Sequence, residues 1–175
     1  MAGDIKLKYG TLNTFTVTNL HSLASSASRE AGWTSASVDN SSGLSVDYLI
    51  SGTFTTHASN RQAGFIDVRV YSALNATPTW PDIFSSGTEG TEGAATWTDT
   101  EEMNSGSRWL TTLEADTTAS AVYTFPQLGL AQLFGGVLPT HFALFVGQNC
   151  ATTTAAGLAS SGSAIYGYPV LYQYT

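Results

Sequence analysis

The chain has 175 residues, which suits one domain with a sizeable core. Its net charge of −7 argues against a nucleic-acid binder, which needs a basic face to meet phosphates, and equally against anionic membrane surfaces. Charged residues make up only 11%, far below the usual ~25%, while Ser and Thr supply roughly a quarter of the chain, so the expected surface is neutral, hydroxyl-rich and β-structured.

Taken in chain order, the first segment alternates: Ile5, Leu7 and Tyr9 fall on one side of a strand, Lys6 and Lys8 on the other. No further lysine follows. Residues 15–18 continue the period of two, and residues 21–29 hold at most a short helical turn. The clearest strand is 44–54, with Leu44, Val46, Tyr48, Ile50 and Phe54 on one face and mostly Ser, Thr and Asp on the other. The same pattern recurs at 66–70, 142–146 and 168–174, and more briefly at 94–98, 108–113 and 121–125. Turn chemistry separates these strands at 40–43, 59–64, 85–87, 104–106 and 159–162. Such strands without βαβ alternation indicate an all-β fold, a jelly-roll β-sandwich of about eight or more antiparallel strands. Residues 1–10 form an N-terminal arm or edge strand and residues 11–175 a single sandwich domain. Its expected interior takes Phe15, Val17, Ile66, Val68, Val70, Val122, Phe142, Leu144, Val146 and Val170 besides the 44–54 face.

Two segments break the rhythm. Residues 85–107 are rich in Gly, Ser and Glu, and the acids cluster from Asp82 to Asp116, which reads as a solvated edge or loop. Their spacing does not match a calcium loop. Residues 151–162 are small and read as a surface loop joining the last two strands.

No catalytic constellation is visible, and no catalytic, metal or cofactor residue is assigned. His21, His57 and His141 are scattered, and no His-Glu-x-x-His, Cys-x-x-Cys or Gly-x-Ser-x-Gly pattern occurs. The Gly87–Gly93 run lacks the Lys-Ser/Thr ending of a phosphate loop. The single cysteine, Cys150, reads as a buried thiol. No apolar run reaches membrane-helix length, and no signal peptide is expected. Trp33, Trp80, Trp97 and Trp109 fill a core or a subunit interface, or serve as sugar platforms. The same three uses are open to Tyr166, Tyr168, Tyr172 and Tyr174, which share one strand face.

Two stretches, SREAGWTSASVDN (28–40) and FGGVLPTHFALFVGQN (134–149), together with the DIKLKYG opening (4–10), resemble small capsid cement (decoration) proteins of tailed bacteriophages. The resemblance runs over most of the chain in order. It implies a jelly roll that forms a homotrimer on the outer surface of the virion head, assembled in the host cytoplasm, with the major capsid protein as partner and no enzyme activity, cofactor, nucleic acid or membrane. The acidic 85–107 segment is longer than the family leads one to expect. On this basis Ile5, Lys6, Leu7, Lys8 and Tyr9 are the capsid-contact candidates, Lys6 and Lys8 meeting capsid carboxylates. The competing account of these lysines is a plain edge strand guarded against unwanted sheet pairing. Trimer-contact candidates are Trp97, Trp109, Phe134, Val137, Leu138 and Pro139. The alternatives are another phage structural jelly roll (tail, baseplate or fibre-associated) and a carbohydrate-binding sandwich.

Overall fold

The computed structural model describes residues 4–59, 61–152 and 155–175. The start of the expected arm, one residue of the 59–64 turn and residues 153–154 of the expected loop lie outside the described residues. The described residues form twelve strands: β1 (Ile5–Tyr9), β2 (Asn13–Thr14), β3 (Ala31–Thr34), β4 (Val38–Asp39), β5 (Asp47–Thr55), β6 (Gly64–Ser72), β7 (Phe84–Ser86), β8 (Gly93–Trp97), β9 (Arg108–Ala115), β10 (Val122–Gly129), β11 (His141–Gln148) and β12 (Ala164–Tyr174). One short helix, α1 (Thr100–Gly106), and one 3-10 turn, Ala131–Phe134, complete the fold.

The strands form two antiparallel sheets, one ordered β1-β12-β5-β10 and the other β7-β8-β3-β11-β6-β9. The pairings are nested: β1 with β12, β3 with β11, β5 with β10 and β6 with β9. A long hairpin rolled into two layers gives this order, which is the jelly-roll arrangement expected from the sequence.

Between the sheets lies the main core. In β5 the burial alternates strictly, with Tyr48, Ile50, Gly52 and Phe54 inward. They face Ile66, Val68 and Val70 of β6 and Phe142, Leu144 and Val146 of β11. Tyr48 meets Phe142 edge-on at 5.2 Å. Strand β11 departs from half-burial, because every one of its residues is covered. The cause is the segment between β6 and β9, which includes residues 85–107, expected as a solvated edge or loop. It adds β7 and β8 to the edge of the second sheet and brings α1 to the sheet's outer face. There Ile83, Phe84, Trp97 and Met103 pack on Tyr71, Ala143 and Phe145 as a second core.

The acids of this segment hold it in place. Asp99 caps α1 by accepting from the Glu102 amide at 2.7 Å. Glu89 accepts from the amides of Ile83 and Phe84. Glu92 accepts from the Asn19 amide, from Asn19 Nδ2 and from Trp33 Nε1, at 2.9, 2.7 and 2.8 Å. Partial burial works to raise the Glu92 pKa, but these donors outweigh it and hold the carboxyl below its ordinary 4.5. A depressed folded pKa contributes stability that is fully present above pH 4.5 and is lost as pH falls through the folded value. Glu92→Gln should therefore cost about 1–2 kcal/mol near neutrality and flatten the acid limb of stability below that pH. Urea midpoints of both proteins from about pH 6 to about pH 3 check this; parallel curves would mean that Glu92 is not among the groups that set the acid limb.

Several expectations are corrected. Leu44 does not begin the long strand: it follows the Gly43 turn with φ of 46° and is 74% exposed. Its side chain is turned out because β5 starts only at Asp47. Val122 is also exposed, since it pairs with Thr55 on the outward face. Val46 is half-buried at a surface hollow, and Val17 is half-buried against the core. No strand forms at the expected 15–18: the short β2 ends at Thr14, although Phe15 is buried. The helical turn expected at 21–29 is a series of turns with one bridge, Ala24 to Ala156.

Candidate interaction surface

Strand β12 is the longest in the chain, and its two ends have different neighbours. Residues Ala164–Val170 pair with β5, whereas Val170–Tyr174 pair with β1. Past Val170, β12 and β1 run on as a two-stranded ribbon beyond the end of β5. Asp4 and Thr175 close its end with reciprocal amide–carbonyl bonds of 3.1 and 3.0 Å. All of β1 is exposed. A two-stranded ribbon is marginal alone in water, so packing on a partner would stabilise this one.

The ribbon has two unlike faces. Cross-strand partners share a face, so the register Ile5↔Tyr174, Leu7↔Tyr172 and Tyr9↔Val170 builds one apolar row. The intervening pairs, Lys6↔Gln173 and Lys8↔Leu171, build the other face, which carries both lysines. This is the alternation expected for residues 5–9. Neither lysine forms an ion pair among the described residues. The tyrosines of β12 follow the same alternation, with Tyr172 and Tyr174 exposed on the ribbon and Tyr168 half-buried on the sheet.

At the root of the ribbon the apolar row meets the loop after the 3-10 turn. Two adjoining hollows, of about 370 and 460 Å³, share Val46, Gly136 and Tyr172. Leu44 and Val137 line the first; Leu7, Tyr9, Leu49 and Val170 line the second. Asp47 anchors this corner: its Oδ1 accepts from the amides of Tyr48 and Ala131 at 2.7 and 2.8 Å. Gly135 and Gly136 both have positive φ, which lets the loop turn sharply and present Val137 to solvent.

The structure thus brings the two candidate sets together in part. Residues 5–9 and Val137 border one surface. Leu138 is buried in the main core, and Phe134 and Pro139 are half-buried. Trp97, expected at a subunit contact, is 1% exposed in the second core, so its ring has no surface to offer. Its apolar bulk is used inside the monomer. Trp109 is partly exposed but lies on β9, in the other sheet, stacked at 4.0 Å on the Arg69 guanidinium. Sequence reasoning missed Leu44 and Val46 as surface groups. The Gly43 turn directly before Leu44 was the available signal.

The chemically reactive side chains do not converge. His21 contacts the Ser163 carbonyl, His57 contacts Ser59, and His141 lies 3.3 Å from Asp39. No group of three or more His, Cys, Asp or Glu side chains among the described residues forms a metal site. Burial pushes the Cys150 thiol up to about 11, which leaves little thiolate at neutral pH. No helix among the described residues is long and apolar enough to cross a membrane. Comparison with protein-family models, with curated proteins and with solved structures finds no match to this chain.

Proposed function

We propose that this chain is a structural virion protein, a cement protein that binds the outer surface of a tailed-phage head as a trimer and stabilises contacts between major capsid subunits. The observation that carries the proposal is the β1–β12 ribbon, which extends beyond the sandwich with an apolar row on one face and the only two lysines of the chain on the other. The remaining 4 arginines stand against 13 acids, a balance of −9 outside β1. A cationic strand on an acidic body is suited to steering toward a carboxylate-bearing surface, which sets orientation and association rate more than affinity. The jelly-roll order and the resemblance of residues 4–10, 28–40 and 134–149 to cement proteins support the same role. Engagement of several capsid subunits by one trimer would multiply weak single contacts by avidity.

The test is cosedimentation with purified mature heads. Saturable binding at one trimer per three-fold or quasi-three-fold position is expected. Replacing Lys6 and Lys8 by serine should slow association about tenfold at low salt, and deleting residues 1–8 should abolish binding. Undiminished affinity after that deletion would overturn the role of the ribbon. Failure to bind heads, together with specific binding on a glycan array, would replace the cement role with a carbohydrate-binding one.

A further inference from the structure

We infer that the apolar face of the ribbon, with the hollows at its root, is the surface through which copies of this chain assemble. The inference rests on the proposed self-association but not on capsid binding. It divides the ribbon between two partners: the apolar row meets a neighbouring copy, and the face that carries Lys6 stays open.

Size is the first ground. Ile5, Leu7, Tyr9 and Tyr172 are each 64–71% exposed. Aromatic and aliphatic side chains of this exposure leave roughly 600 Å² of mostly apolar surface in one row. The exposed Leu44 and Val137 beside it bring the patch close to the ~800 Å² per partner of a stable protein–protein interface.

Charge is the second ground. Outside β1 every copy is strongly acidic, so two bodies brought together repel each other. An association between them needs a face without acid, and the row Ile5, Leu7, Tyr9, Val170, Tyr172 carries no charge. Asp47, at the floor of the second hollow, already has one carboxylate oxygen engaged by two amides.

Shape is the third. Leu44 and Val137 protrude on the rim, while the hollows lie between that rim and the ribbon. One surface therefore offers both a protruding and a receiving part. A contact of that kind joins unlike patches of successive copies and closes a ring when the rotation allows.

The test is the solution mass of the full chain by light scattering over a range of concentrations. The wild-type chain should give three times the 18.4 kDa monomer mass. Leu7→Asp and Tyr172→Asp should each raise the concentration of half-dissociation about 100-fold, because a carboxylate would be buried in an apolar contact. Lys6→Ser, on the other face and outside both hollows, should leave the mass unchanged. Val137→Asp lies in a loop, outside any strand, and should dissociate the assembly with its circular dichroism unchanged; it decides the matter if the ribbon variants unfold. A wild-type chain that stays monomeric up to about 100 μM, or aspartate variants that keep the wild-type mass, would overturn the inference. Head binding measured alongside separates the two claims. An assembling chain that ignores heads defeats the cement role alone, and a monomer that binds heads defeats this inference and the trimeric form of binding but leaves the cement role standing.

Discussion

Replacing Asp67 by alanine should destabilise the native state by about 3–5 kcal/mol, the largest loss expected of any single polar substitution in this chain. Asp67 lies on β6, facing outward into the region beneath α1 and the β9 edge, and is 2% exposed. One carboxylate oxygen accepts from Arg29 Nε at 2.5 Å, and the other accepts from Thr112 Oγ1 at 2.9 Å. Two residues along the same strand is Arg69, itself buried. Burial lowers the Arg69 pKa, and the negative charge of Asp67 opposes that shift. Arg69 Nη1 donates to the Met103 carbonyl and to Ser107 Oγ, and Nη2 donates to Asn104 Oδ1, so this side chain ties the C-terminal end of α1 to β6. Without Asp67, two guanidinium groups share a poorly solvated site with no counter-charge. Removing one member of a buried charge cluster is far more destabilising than its net contribution suggests. Asp67→Asn keeps the shape and the bond from Thr112 and should lose about half as much. Urea unfolding with an unchanged slope is the measurement. A loss below about 1 kcal/mol for the alanine variant would mean that water already solvates both arginines.

The second large effect is steric. Gly147→Ala should cost about 3 kcal/mol, although alanine is the smallest side chain that can be added. A Cβ at Gly147 would stand 2.2 Å from the Arg29 carbonyl oxygen and 3.1 Å from its carbonyl carbon. The obstacle is backbone, so no rotamer change relieves it. Gly147 pairs with Gly32, where a Cβ would meet the Val146 carbonyl oxygen at 2.3 Å. Gly147 lets the 26–30 segment cross close over β11, and Gly32 lets β3 lie close against Phe145 and Val146. That crossing is fixed by the Ser26 amide, which donates to the Gln148 carbonyl at 2.9 Å, and it delivers Arg29 to Asp67. Because both substitutions act on Arg29, the double variant Gly147→Ala, Asp67→Ala should lose less than the sum of the singles. A full sum would show that the crossing and the ion pair are independent.

Both effects belong to the outer face of the second sheet, the part of the molecule that alternation alone describes least. The strand at 142–146 shows why. Its residues read as Phe-Ala-Leu-Phe-Val, and Phe145 breaks a simple inward-outward pattern. In the structure Phe142, Leu144 and Val146 face the main core, while Phe145 packs against Phe84 and Trp97 in the second. A strand buried on both faces reads as a continuous apolar run, and the sequence does not say which segment covers its second side. The covering segment is itself disguised. Residues 85–107 combine glycines and acids with few apolar groups, so their composition suggests solvent. Phe84, Trp97 and Met103 are enough to dock this segment while most of its other residues stay exposed, once Asp99, Glu89 and Glu92 use their carboxylates to accept backbone and indole donors.

The sequence by itself determined the all-β class, most of the long strands, the inward face of β5, β6 and β11, and the opposition of Lys6 and Lys8 to Ile5, Leu7 and Tyr9. These follow from a period of two, which depends only on local backbone geometry. Tertiary structure alone decided which strands meet. The pairing of β1 with the far end of β12 joins segments more than 160 residues apart, and only the nested roll of the chain makes them neighbours. The same closure carried Trp97 inside, left Trp109 on an edge strand, and set Leu44 and Val137 beside Tyr172. An exposed residue and a core residue of equal hydrophobicity look alike in a sequence. What separates them is whether another part of the chain arrives to cover them, and that is a property of long-range packing.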